Sequence, residues 1–456
     1  VGVEGLVMVG IAAVLVVESW ISEARKVRRI REVWLNAARE AGVSEVSFTG
    51  VTSPRMVGRT TDGMKFSVYC QRSNNTNQTS LRLQAPGVLP DFLQLRPESI
   101  MTAIAKRFDG PDIETGDRVF DKQVSIHGKH LPLIAVFDRA TRTAVLELLK
   151  ADGVVGSDEV IVKIRGNATD GWELSQAMRR QLALVRRLRE PDDTVPPLAE
   201  NALNDPHPGV RRRNLDVLAE SFPHRDETAT TLRAALADSD PAVRLAAARR
   251  LGPEGEPVLA ALALAHGTPE SIALDAIQVA GAALGSERAG ALLTRGIGER
   301  RTELALAAVE ALARCGDEEA AALLAPLLAI PDSRLAAAAA VALARCRGAD
   351  AEPELIAALA REPRELRLAA ATALAEIGTV NAVPALRAAV AAHPTEISFR
   401  RAVAKAVGAI QARALGAAPG QLSLATGATG QLALADDDGG RLSFAEDQSD
   451  AERHEP

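Results

Sequence analysis

The chain has 456 residues, a length that suggests two to three domains. Its hydrophobic share of 47% allows buried cores, and aromatics make up only 3%. The net charge of −6 excludes a broadly basic nucleic-acid footprint, and the acidity concentrates in residues 416–456, where eight acids face two bases.

Residues 5–21, GLVMVGIAAVLVVESWI, are apolar apart from Glu18 and Ser19. At ~1.5 Å per residue they span roughly 26 Å, the short end for a membrane helix. Trp20 suits an interface, and Arg25, Lys26, Arg28, Arg29 and Arg31 follow at once. A secretory signal places its basic residues first and a small-residue cleavage site after. The layout predicts a transmembrane helix over residues 1–22. By the positive-inside rule it crosses the inner membrane once and leaves the bulk of the chain in the cytoplasm. The competing expectation is a buried helix of a soluble domain.

A short amphipathic helix is predicted next, VWLNAAREAG at 33–42. The hydrophobic period then shifts toward two. Strands are predicted at 44–51, 64–71, 80–86, 92–96, 118–128 and 159–166. Helical patterns interrupt them at 98–108, 140–151 and 172–188. This mixed order predicts an α+β domain over residues 23–190. Its stretches WLNAAREAG, GRTTDG (58–63) and DIETGDRVFDKQVSIHG (112–128) resemble uncharacterised bacterial domains that follow a single membrane helix. That resemblance implies no known activity.

Two features in this domain touch on chemistry. His127 and His130 form an H-x-x-H, but no third ligand is signalled, and two histidines are a weak metal claim. Asp112, Glu114, Asp117 and Asp121 form an acidic run, which reads more simply as a turn and strand start than as catalytic carboxylates. No nucleophile elbow, phosphate loop or dinucleotide fingerprint occurs. No catalytic, metal or cofactor residue is assigned, and the chain is not expected to be an enzyme.

A linker with three prolines, within REPDDTVPPL at 189–198, is placed at 191–197. Beyond it one pattern repeats, typified by PAVRLAAARRLG at 241–252. Apolar markers stand at Val210, Val243, Ile272, Leu304, Leu335, Leu366 and Phe399, in steps of 33, 29, 32, 31, 31 and 33 residues. Four residues on come Asn214, Ala247, Ala276, Ala308, Ala339, Ala370 and Val403; eight on come Leu218, Leu251, Ala280, Leu312, Leu343, Leu374 and Val407. Such spacing marks one helix face, and its recurrence predicts an all-α solenoid of about seven repeats over 198–415. Asp240 is placed to cap and Pro241 to begin its helix. Gly252, Gly281, Gly316 and Gly378 are placed as left-handed helix ends. Cys315 and Cys346 are equivalent positions in neighbouring repeats. Together with Cys70 they read as small buried hydrophobes.

The stretches DPHPGVRRRNLDVLAE (205–220), DSDPAVRLAAARRLG (238–252) and PRELRLAAATALAEIG (363–378) resemble HEAT repeats, the short bacterial kind also seen in phycobilisome-lyase-like proteins. The resemblance implies a binding surface. It also implies that an arginine following the marker pairs with an acidic turn residue, which singles out Arg211, Arg244, Arg367 and Arg400. Ala273, Ala305 and Ala336 depart from that pattern and break any continuous ladder. No Cys or His arrangement marks a pigment site. The clusters Arg211–Arg213 and Arg249–Arg250 sit in an array of net acidic charge, so no nucleic acid is expected.

The tail contains GQLSLA, GQLALA and GRLSFA at a period of ten residues. Leu422/Leu424, Leu432/Leu434 and Leu442/Phe444 each put two apolar residues on one face of a strand. A small meander, a multivalent ligand and a disordered tail with no role all fit. The expectation is β-addition of residues 418–446 to a sheet edge, with Leu424, Leu434 and Phe444 as contacts. The chain thus reads as a membrane-anchored scaffold for protein partners, with no small-molecule substrate evident. The alternative is an enzyme or ligand-binding module with its site in residues 44–166.

Overall fold

The computed structural model describes residues 3–50, 53–73, 76–97, 113–166, 168–415, 422–424 and 432–434. The described chain forms two compact units, Val1–Leu251 and Gly252–Pro456.

In the first unit one helix, α1 (Val3–Glu40), replaces the separate anchor and short helix expected from sequence. Nothing breaks it, because no proline or glycine stands between Ile11 and Gly42. Its second half buries Ile30, Trp34, Ala37 and Ala38. Among the described residues no helix is long and apolar enough to cross a membrane. The span expected over residues 1–22 therefore finds no support in the fold. Its apolar run is short, contains Glu18 and leads directly into charge.

An eight-stranded antiparallel sheet follows: β1 (Val43–Thr49), β2 (Arg55–Thr60), β3 (Lys65–Ser73), β4 (Thr76–Gln84), β5 (Gln94–Pro97), β6 (Val124–His127), β7 (Val154–Val155) and β8 (Glu159–Arg165). Their order is β1-β2-β3-β4-β8-β7-β5-β6. Phe66, Val68, Leu81, Leu83, Leu95 and Ile126 are buried. Helices α2 (Arg139–Lys150) and α3 (Gly171–Leu188) complete the layer. Trp34 Nε1 donates to Ala168 O at 3.1 Å, and Gln181 Nε2 donates to Leu81 O and Val160 O, both at 3.2 Å, tying α1 and α3 to the strand region. The strand expected at 118–128 is half right. Asp117 accepts from Val119 N and Phe120 N and starts a helical turn at Arg118–Asp121, so only Val124–His127 is extended. The helix expected at 98–108 lies outside the described residues.

The same unit continues past the expected linker into α4 (Val195–Asn204), α5 (Pro208–Ser221), α6 (Asp226–Ala235) and α7 (Pro241–Leu251). Gly116 and Gly209 explain how closely the loop before Arg118 approaches α5. A Cβ on Gly116 would lie 2.2 Å from Gly209 O, and one on Gly209 would lie 2.1 Å from Gly116 O. Gly116 also has φ +92°, a value side chains rarely tolerate.

The second unit holds α8 (Glu256–Leu264), α9 (Glu270–Ala280), α10 (Ser286–Gly298), α11 (Thr302–Cys315), α12 (Glu318–Leu324), α13 (Ser333–Arg347), α14 (Glu352–Ala358), α15 (Arg364–Ile377), α16 (Ala382–Ala392) and α17 (Ile397–Leu415). Taken with the first unit, the described residues contain the seven helix pairs that the markers predict. The marker and +4 rows are buried except at α9, where Ile272 is half-buried beside a buried Ala273; in the +8 row Leu251 and Val407 are half-buried. Asp240 Oδ1 accepts from Ala242 N at 2.9 Å, the expected cap. Gly252, Gly281 and Gly316 have positive φ as expected, but Gly378 does not. At φ −62° Gly378 is instead held by its packing, since a Cβ there would lie 2.5 Å from Leu374 O. After α17, β9 (Leu422–Leu424) and β10 (Leu432–Leu434) pair with each other, Leu432 opposite Leu424 and Leu434 opposite Leu422. They form their own two-stranded sheet and do not extend an edge of the larger one. Phe444 lies outside the described residues.

Candidate interaction surface

The arginines after the markers were expected to be contact residues. Arg211 is buried, and its Nε and Nη2 grip both oxygens of Asp238, each at 2.7 Å. A bidentate guanidinium–carboxylate pair of this kind is directional and strong. Burial pushes the Asp238 carboxyl up, but the bonds from Arg211 and Asp240 N outweigh it and hold the group below its ordinary range. Arg367 is also buried and meets Glu396 at 2.6 Å and Glu362 at 2.7 Å. Arg244 donates to the carbonyls of Asp238 and Ser239 at 2.6 and 3.1 Å. These three therefore work inside the fold, fastening turns to helices. Arg400 alone of the four is exposed, and no carboxylate partner meets it among the described residues.

The ladder also has a member that the repeats do not reveal. Arg142 of α2 is buried, with Nε 3.1 Å from Asp117 Oδ2 and Nη1 2.8 Å from Phe137 O. Its Nη1 and Nη2 reach the two oxygens of Asp205 at 2.8 and 3.1 Å. Asp205 O in turn accepts from Arg211 at 2.8 Å. Asp117, Arg142, Asp205, Arg211 and Asp238 thus run as one chain of ion pairs and hydrogen bonds from the sheet domain into the second helix pair.

The other candidate groups in the sheet domain are also engaged. His127 Nε2 lies 3.0 Å from Ser125 Oγ, while His130 Nε2 lies 3.1 Å from Glu190. Asp121 accepts from Thr115 N, Thr115 Oγ1 and Gly116 N, and burial pushes its carboxyl upward. Glu114 O accepts from Arg213 Nε at 3.3 Å. Asp112 lies outside the described residues. Among the described residues no group of three or more His, Cys, Asp or Glu side chains could hold a metal ion.

What the second unit does present is a row of half-buried apolar side chains on its marker helices. Leu274, Leu306, Ala307, Ala337, Ala338, Val341, Leu368 and Ala369 fall two, three or six residues after their markers, between the buried rows. These positions keep part of their surface open to solvent. Between α9 and α11 the row opens into a groove of about 280 Å³, bordered by Asp275, Glu303, Glu310 and Arg314. Arg314 is already bound to Glu310 at 2.7 Å and to Gln278 O at 2.7 Å, which leaves Asp275 at this border with no ion pair among the described residues. The marker spacing does not disclose this row, because that spacing follows only the residues that the fold hides.

These paired, stacked helices define an α-α solenoid. Residues 195–281 match the family model for HEAT repeats, and that stretch has HEAT-repeat character. No curated protein matches the chain. Among solved structures, human deoxyhypusine hydroxylase in complex with glycerol is similar at 19% identity, over 47% of this chain and 95% of that one, with a TM-score of 0.21. That score is too low for the likeness to bear on function.

Proposed function

We propose that this chain is a protein-interaction scaffold that holds its partner on the half-exposed row of the second unit. The observation that supports it is the row itself, an apolar strip rimmed by charge on successive helices. Repeat arrays use such surfaces to hold extended partners. The chemistry favours a segment that offers apolar side chains to Leu306 and Ala338 and a cation to Asp275. Ala338→Arg tests it. The residue is half-exposed, so the change should leave the melting temperature within a few degrees. Proteins that co-purify with the intact chain should be lost from the variant. An unchanged set of co-purifying proteins would remove the row from the interaction.

We further propose that residues 1–22 hold the scaffold at the inner membrane with its bulk in the cytoplasm. The apolar run followed by five basic residues supports this. Deleting residues 1–22 should release the protein from membranes, while the intact chain stays through a high-pH wash. Release of the intact chain by that wash is the outcome that contradicts an anchor.

A further inference from the structure

Among the described residues the last helix pair leaves one face of the second unit open. Arg387 of α16 and Ile397, Arg400, Arg401, Ala404 and Val407 of α17 border an open groove of about 850 Å³. Ile397 is 64% exposed, a large apolar residue with nothing over it among the described residues. The buried side of α17, Phe399, Val403, Ala406 and Ile410, is already used in the core. The exposed positions are therefore those on which a further helix pair would stack.

Arg400 makes the demand specific. Its equivalents Arg211 and Arg367 each take a carboxylate from the turn of the following repeat, Asp238 and Glu396. Arg400 occupies the same rung with no carboxylate opposite it among the described residues. Arg387 and Arg401 add two more cations at the same groove. Whatever covers this end must bring both apolar surface and negative charge.

The chain carries both a few residues further on. Residues 416–456 hold eight acids against two bases, including Asp436, Asp437 and Asp438 immediately after β10. In the β9–β10 ladder the pairing places positions 422, 424, 432 and 434, all leucine, on one face. Two strands alone are barely stable in water and need an apolar surface to lie against. Cα atoms of β9 come within 8 Å of those of α17.

We propose that the chain's own acidic tail caps this end of the array. The leucine-bearing face of β9–β10 covers the apolar side of the groove, and tail carboxylates meet Arg400, Arg401 and Arg387. This surface is separate from the marker-helix row, and the proposal stands whether or not that row binds a partner. The cap does for the final repeat what a following repeat does elsewhere, which solenoids require at their ends.

Amide hydrogen exchange on the full-length protein tests it. Two variants are used: Leu424→Ser with Leu434→Ser, which alters only the tail, and Arg400→Glu with Arg401→Glu, which alters only exposed positions of α17. Each should speed exchange across α16 and α17 about tenfold or more, with α11 and α13 unchanged. The two sets combined should do little more than either alone. If the tail variant leaves α17 exchanging at the wild-type rate, the cap is wrong. If α17 is protected only at high protein concentration and loses protection on dilution, a second copy covers the groove, and the intramolecular cap is equally overturned.

Discussion

Arg142 bears on more of the molecule than any other single side chain. It is buried at 3% exposure and satisfies two carboxylates and a carbonyl at once. Removing one member of a buried ionic cluster leaves the others charged and unpaired. Arg142→Ala should therefore destabilise the first unit by about 3–5 kcal/mol, read from urea unfolding. The same substitution at exposed Arg139, one turn away, should cost under about 0.5 kcal/mol. A small effect at Arg142 would mean that Asp117 and Asp205 find water or other partners. Nothing in the sequence points to Arg142, because its partners lie 25 and 63 residues away. The repeat arginines were easier to find, since they recur beside the markers, yet their use was not. An arginine beside a buried row can serve a partner protein or the next turn, and only the position of Asp238 and Glu396 decides between them.

At the scale of elements, the marker rows were legible because an amphipathic helix writes its buried face at a fixed spacing. The marker itself departs at α9, where the small Ala273 is buried and the larger Ile272 sits half-buried beside it. Size misled the reading there. Strand β2 was missed for a related reason. Its buried positions are Met56, Gly58 and Thr60, which do not read as an apolar alternation, and Gly58 is small because a Cβ would lie 2.6 Å from the Val43 side chain. The register of the later repeats can be tested at Ala370, which is fully buried in α15. Ala370→Asp should cost about 3–5 kcal/mol, since it buries a charge where a methyl group now packs. The matching change at Thr372, exposed on the same helix, should be tolerated. Equal melting temperatures for the two variants would show that the helix is turned differently from the fold described.

For the molecule as a whole, the sequence reading separated a sheet domain from a helical array at residues 191–197. The first compact unit instead runs to Leu251, because the Asp117–Arg142–Asp205 cluster and the Gly116–Gly209 approach join the first helix pairs to the sheet. Such long-range joints leave no periodic trace in a sequence. The proposed surface leaves no mark in the sequence for the opposite reason: its leucines and alanines look like any others in an alanine-rich array, and only partial exposure sets them apart. The central claim is that this row holds a protein partner. Its most direct test is a photoreactive amino acid placed at position 338, on the row, and at position 322, an exposed site on α12. Irradiation in cells of the source organism should give a discrete cross-linked species from 338 and none from 322. Cross-links of equal yield from both positions, or from neither, would contradict it.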